Sequence, residues 1–137
     1  MNWQAWKGRS EDHLRAAQTL AAAGHSSAAY YLAGLAVECA LKARIARSFR
    51  SGTWPLRQFV NDIHTHDLSK LVILADLRDQ RQIDEKRDPS FLDAWDIVAK
   101  WTIESRYAEW SDEEASDMPD AVVRRRSGVM PWIRRHW

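Results

Sequence analysis

The 137 residues make one ordinary domain, long enough to bury a core without disulfides or a metal. The formal net charge of +1 points neither to nucleic acid nor to an acidic surface, so only local clusters of charge can do that. Cys39 is the single cysteine, which excludes an intrachain disulfide and a cysteine-based zinc site, and no apolar stretch reaches the roughly 18 residues of a membrane span.

The first residues, Met1-Asn2-Trp3-Gln4, lack the shape of a signal peptide, and a cytoplasmic chain is expected. Gly and Pro are scarce, which leaves little punctuation for a many-stranded fold. Ser10 is the expected cap of a first helix carrying Leu14, Ala17, Leu20 and Ala21, with Gly24 as its stop. Ser26 or Ser27 then caps a second helix reaching about Phe49. Its stretch from Ala28 to Val37 is apolar almost all round, the mark of a helix packed on several sides. One stripe, Gly34, Glu38 and Lys42, recurs every four residues along one face.

Ser51-Gly52-Thr53-Trp54-Pro55 reads as a turn, and Thr65 or Asp67 caps a third helix with Leu68, Leu71, Val72 and Leu74. Residues 78–88 alternate in charge and read as an exposed helix end and loop. Asp88-Pro89 starts a fourth helix expected to reach about Tyr107. Ser111 with Glu114 forms a capping box for another helix, which Met118-Pro119-Asp120 is expected to break or restart. A last helix then carries Val122, Val123, Met130, Trp132 and Ile133, with Pro131 kinking it or starting its last turn. With no strand, repeat or low-complexity tract, the expectation for residues 1–137 is one all-α domain. It is an antiparallel up-and-down bundle of four to six helices. Leu32, Leu35, Cys39, Leu71, Trp95 and Ile103 are its expected core.

The stretch Ala28-Ala29-Tyr30-Tyr31-Leu32-Ala33-Gly34-Leu35-Ala36-Val37-Glu38-Cys39-Ala40-Leu41-Lys42-Ala43 resembles the hallmark helix of HEPN domains. His64-Thr65-His66-Asp67-Leu68-Ser69-Lys70-Leu71 is similar to that family's His-containing start of the next helix, and Trp101-Thr102-Ile103-Glu104-Ser105-Arg106-Tyr107 looks like a segment of one branch. The resemblance covers roughly residues 10–135. It implies a bundle that commonly dimerises. It also implies either a metal-independent ribonuclease, often a toxin paired with a nucleotidyltransferase-like partner, or a non-catalytic module binding protein, nucleotide or RNA. Active members carry Arg, four to six residues, then His, late in the bundle.

One pair here has that spacing, Arg57 and His64, but chance supplies about one or two such pairs in a chain this rich in Arg. The pair also lies before the third helix, and no His follows Arg106 at the family distance. The expectation is therefore a non-catalytic module without a cofactor, with the metal-independent endoribonuclease toxin as the alternative. Glu38 and Lys42 are set in an otherwise apolar helix and are expected to form a partly buried polar cluster with His66, Arg106 or Tyr107. His64, His66 and Asp67 have metal-ligand chemistry, but a site would need His13 as a third nitrogen, and no metal is expected. Arg124, Arg125, Arg126, Arg134 and Arg135, with Trp132 and Trp137 for stacking, are candidates for gripping RNA, unless the acids of residues 111–120 cancel them. Trp95 and Trp101, six apart on one expected helix, face different ways, which predicts an interface and a symmetric homodimer.

Overall fold

A computed structural model describes residues 2–49 and 57–137, apart from the side chains of Arg57 and Phe59. The expected turn at Ser51-Gly52-Thr53-Trp54-Pro55 lies outside the described residues. The described chain is an all-α bundle, with no strand among those residues. Helices α1 (Trp3–Ala22) and α2 (Ser26–Ser48) form an antiparallel hairpin closed by Gly24, whose φ of 85° lies in the left-handed region that glycine enters without strain. The shorter helices α3 (Arg57–Asp62), α4 (Leu68–Leu74), α5 (Arg78–Arg87), α6 (Pro89–Ala99), α7 (Asp112–Val123) and α8 (Val129–Arg134) come after it. Contacts from α1, α4, α7 and α8, and from a 3-10 turn at Ile103–Tyr107, converge on α2.

α1 begins earlier than the sequence suggests. Asn2 is its cap, accepting from the amide of Ala5 at 2.8 Å. Ser10, the expected cap, is fully buried in mid-helix and donates its hydroxyl to the carbonyl of Ala36 at 2.7 Å. The hydroxyl thus serves contact between helices, and small side chains at Ala17, Ala33, Ala36 and Ala40 let α1 and α2 approach closely. His25, not a serine, precedes α2, and it makes no side-chain cap bond. At α4 both expected residues act, since Asp67 accepts from the amide of Lys70 and Thr65 accepts from that of Asp67.

The charged segment 78–88 is a full helix rather than a fraying end. None of its residues is buried, yet its polar groups clamp two tryptophans. Asp84 accepts from the indole N–H of Trp132 at 2.9 Å, and the Arg81 guanidinium lies 5.1 Å from the centre of the Trp95 ring. α6 starts at the Asp88 cap as expected but ends at Ala99, eight residues before Tyr107. The chain then turns, and Trp101 folds back onto α2. Trp95 and Trp101 are therefore both buried, at 4% and 2% exposure, and neither is left for a neighbouring subunit. The Trp101 indole N–H donates to the carbonyl of Tyr31 at 3.1 Å, and its ring occupies the space over Gly34.

Two prolines also depart from expectation. α7 runs through Pro119 without ending there. Pro119 and its neighbours Met118, Ala121 and Val122 are buried against α2 and α6, and that packing offsets the lost backbone bond. The chain breaks later, at Arg124, passing Arg126 with φ 70° before Gly128 leads into α8. A Cβ at Gly128 would stand 2.4 Å from the backbone oxygen of Arg124, so the turn requires glycine. Pro131 falls in the first turn of α8, where no amide bond is lost. Of the expected core, Cys39, Leu71 and Trp95 are buried, while Leu32, Leu35 and Ile103 are half-buried and packed against the core.

A Cβ at Gly34 would fall 2.2 Å from the Trp101 ring, with nowhere for a packed indole to retreat. Gly34→Ala is expected to cost about 1–3 kcal/mol through overpacking. Gly8→Ala, on the open face of α1 with nothing near its Cβ, is expected to stabilise by about 0.5–1 kcal/mol. Urea denaturation of the two variants should show shifts of opposite sign.

Candidate functional site

The stripe on α2 becomes a graded site, in which Gly34 receives an indole, Glu38 holds a buried carboxylate and Lys42 extends along an aromatic ring. Glu38 is 3% exposed and Lys42 8%. Burying an ionised carboxylate costs several kcal/mol unless charge and hydrogen bonds compensate. The compensation comes from two elements. The Nζ of Lys42, one turn on, lies 3.6 Å from Oε2, an ion-pair distance too long for a strong hydrogen bond. Nδ1 of His66, in the turn leading into α4, lies 2.6 Å from Oε1. A carboxylate only accepts when ionised, and the bond to it then requires the imidazole proton on Nδ1. The ammonium of Lys42 also stands 5.3 Å from the centre of the Trp6 ring of α1.

The surroundings of this cluster are electrostatically uneven. Burial and Arg9 hold His13 below the usual imidazole value, against the pull of Asp12 and Glu38. Burial, reinforced by the Glu38 carboxylate, pushes the Cys39 thiol up to about 11. Cys39 is thus an inert part of the core at neutral pH, as its place on a crowded helix suggests.

Two clefts flank the cluster. One, of about 280 Å³, lies between His66, Asp67, Trp101 and Glu104. A carboxylate-oriented histidine is the base half of a proton-transfer site. Among the described residues, however, the other ionisable side chains lining this cleft are acids, which offer no cation for the charge of a phosphate. The second cleft, of about 380 Å³, is walled by Trp6, Ile45, Phe49 and Ile63, with Lys42 and His64 as its polar groups. It is mainly apolar and ends on one ammonium.

Glu38, Lys42 and His66 meet as expected, but Arg106 and Tyr107 do not join them. α6 ends before them, and the 3-10 turn carries both outward. The Arg106 guanidinium stacks 4.6 Å from the centre of the Tyr107 ring, and Tyr107 is 75% exposed. Their buried neighbour is Ser105, whose hydroxyl accepts from the amide of Thr102. The pair Arg57 and His64 is placed only in part. Arg57 opens α3 with its side chain outside the described residues, and His64 lies just past that helix, exposed. Among the described residues no group of three His, Cys, Asp or Glu side chains gathers to hold a metal ion.

The basic run near the end of the chain is split by the turn before α8. Arg124 is occupied by Asp120 at 2.9 Å, by Asp93 and by the carbonyl of Ser90. Arg134 pairs with Glu11 at 2.7 Å, and Arg135 donates to the carbonyl of Arg126. Arg125 and Arg126 are exposed. Trp132 is buried and cannot stack on a base, whereas Trp137 is half-buried at the surface. Sequence reasoning missed the companions of Trp137, which are Trp3, Lys7 and Arg47. The spacing of Trp3 and Lys7, four apart on one helix, is the signal that could have found them.

Comparison of the chain with family models, curated proteins and solved structures finds no match.

Removing the carboxylate leaves the Lys42 ammonium buried without its partner. Glu38→Ala is expected to cost about 3–5 kcal/mol, whereas His66→Ala, which takes the donor from one oxygen of the buried carboxylate at a site open to water, costs about 1–3 kcal/mol. Chemical denaturation of both variants checks the ranking. With its thiol near 11, native Cys39 should resist alkylation by iodoacetamide at pH 8 and react promptly once the chain is unfolded. Prompt labelling of the native protein would contradict its placement.

Proposed function

We propose that the chain is a HEPN-like module without ribonuclease activity, which pairs with a second copy and binds a protein or a nucleotide or RNA partner. The observation that carries this reading is the state of Glu38, Lys42 and His66. The chemistry-bearing residues of the hallmark-like helix are buried and mutually satisfied, and they join α2 to the start of α4. Groups committed to one another in this way set the register of two elements and are poorly placed to shuttle protons for a substrate. The acidic cleft beside His66 supports the same conclusion, since a scissile phosphate would meet Asp67 and Glu104 there. Self-association draws on Ile73, Ile83 and Leu92, exposed aliphatic side chains on α4, α5 and α6. It does not draw on Trp95 or Trp101, which the bundle covers.

One observation favours the alternative, a metal-independent endoribonuclease of the toxin type paired with a nucleotidyltransferase-like protein. His64 and Lys42 line the same cleft, and an imidazole with a cation is the minimum set for metal-free attack by a 2′-hydroxyl. Lys42 is already engaged by Glu38 and Trp6, which weakens its hold on an incoming phosphate.

Incubation of the purified chain with mixed-sequence RNA, with and without divalent metal, should leave the RNA intact. Cleavage that disappears in a folded His64→Ala variant would replace the module reading by the ribonuclease. Sedimentation at tens of micromolar should show a dimer, and a species near 15.9 kDa alone would remove the homodimer.

A further inference from the structure

The end of the bundle where α1 begins and α2 closes carries a continuous row of rings and cations that the Glu38 cluster does not use. The Arg47 guanidinium stands 5.0 Å from the centre of the Trp3 ring. Lys7 reaches over both Trp3, at 5.9 Å, and Trp137, at 4.9 Å. Trp137 is anchored on α2 by its indole N–H, which donates to the carbonyl of Ala40 at 3.2 Å. Arg44 lies one turn beyond Ala40 and three residues before Arg47, so it belongs to the same side of α2. It is half-buried, and its Nε finds no acceptor among the described residues.

Charge on this face is unbalanced. A cation–π contact orients a cation but leaves its charge in place. Among the described residues no side-chain carboxylate pairs with Lys7, Arg44 or Arg47. Residues 50–56 add Arg50 and no acid to the sequence, so they cannot supply the missing carboxylate. The acids of neighbouring elements are engaged elsewhere: Glu11 by Arg134, Glu38 by Lys42 and His66, and Asp84 by Trp132 and Gln80. Arg81, Arg124 and Arg134 each have a carboxylate partner, and the exposed Arg125 and Arg126, which have none, stand over no aromatic ring among the described residues.

A partner for this face needs repeated negative charge together with flat apolar surfaces. A single strand of nucleic acid supplies both, phosphates for the cations and base faces for the indoles, whereas a duplex keeps its base faces stacked inside. An anionic membrane supplies the charge but recruits proteins through exposed side chains that enter the acyl boundary. The large exposed hydrophobic residues of the described chain, Ile73, Ile83, Leu92 and Tyr107, all lie on other elements.

We propose that Trp3, Lys7, Arg44, Arg47 and Trp137 form a binding face for single-stranded nucleic acid. The proposal rests on the binding-module reading and narrows the partner of that module. It is tested by fluorescence anisotropy of a labelled single-stranded RNA of about 12 nucleotides, titrated with the whole chain. Three phosphate contacts give a slope of about −2 in log affinity against log salt. Binding should therefore weaken by roughly 15- to 20-fold between about 50 and about 200 mM salt. The double variant Lys7→Gln/Arg47→Gln, at exposed positions, should bind at least about tenfold more weakly and lose roughly 1.4 from that slope. Trp3→Leu, which keeps the charge, should bind about 5- to 100-fold more weakly with the slope unchanged. Lys86→Gln/Arg87→Gln, at exposed positions of α5, should bind like the parent, and circular dichroism should report the same helix content throughout. Absence of binding at about 50 mM salt would overturn the proposal. So would equal losses in the two double variants, or binding to phosphatidylserine vesicles in preference to the oligonucleotide. None of these outcomes touches the non-catalytic reading, which stands or falls on RNA cleavage.

Discussion

One buried carboxylate sets much of this architecture. Glu38 sits in the middle of a helix that is covered on nearly every side, where an uncompensated charge would cost more than a domain of this size can spare. The ammonium of Lys42 is available from the same helix, but at 3.6 Å it leaves the second oxygen unsatisfied. The imidazole of His66 must therefore arrive from another part of the chain, and its arrival places the turn that leads into α4 against α2. Leu68, Leu71 and Val72 come within the next two turns and are buried in the core. A polar contact and an apolar one thus specify the same docking, and such agreement between local and global preferences marks a unique fold.

A second constraint, the absence of a side chain at Gly34, decides which group covers the other end of the stripe. Trp101 can reach the backbone of α2 only because no Cβ is there, and it does so because α6 stops at Ala99. Had α6 continued, Trp95 and Trp101 would have projected to different sides and left an indole uncovered. Instead the turn after Ala99 buries one, and the Arg81 guanidinium of α5 covers the other. The helix that looks dispensable from its composition thus closes the core with charged groups, through Arg81 on Trp95 and Asp84 on Trp132. Long polar side chains can cover apolar rings while keeping their charge near water.

The range of the forces involved decides which features were legible in the sequence. The helical class, the all-round burial of α2, the Asp88-Pro89 start and the Ser111/Glu114 capping box depend on periodicity or on partners within four residues, and they are found as read. The meeting of Glu38, Lys42 and His66 was legible because two polar residues in an apolar helix need partners. The position of Ser10 was not, because its hydroxyl answers a carbonyl 26 residues away instead of its own helix. Nor was the passage of α7 through Pro119, where tertiary burial outweighs a local breaker. Arg106 and Tyr107 were expected in the cluster and do not join it, because α6 ends early and the 3-10 turn carries them outward. Trp3 and Lys7 stand four apart on one helix, but Arg47 joins their row from the far end of the next, which hides it for the same reason as Ser10.

The near-neutral net charge conceals a division of the surface. Acids dominate where Asp67 and Glu104 flank the cleft beside His66, and at the start of α7, where Asp112, Glu113 and Glu114 complement the helix dipole. Cations without carboxylate partners gather where α2 ends, and there Arg47 complements the opposite end of a dipole. Each group is therefore favourable for its own helix, and the antiparallel order of the elements, not any one pairing, separates the two signs. Among the described residues, the imidazole that is oriented by a carboxylate thus faces a cleft lined by acids, where a phosphate is repelled rather than held.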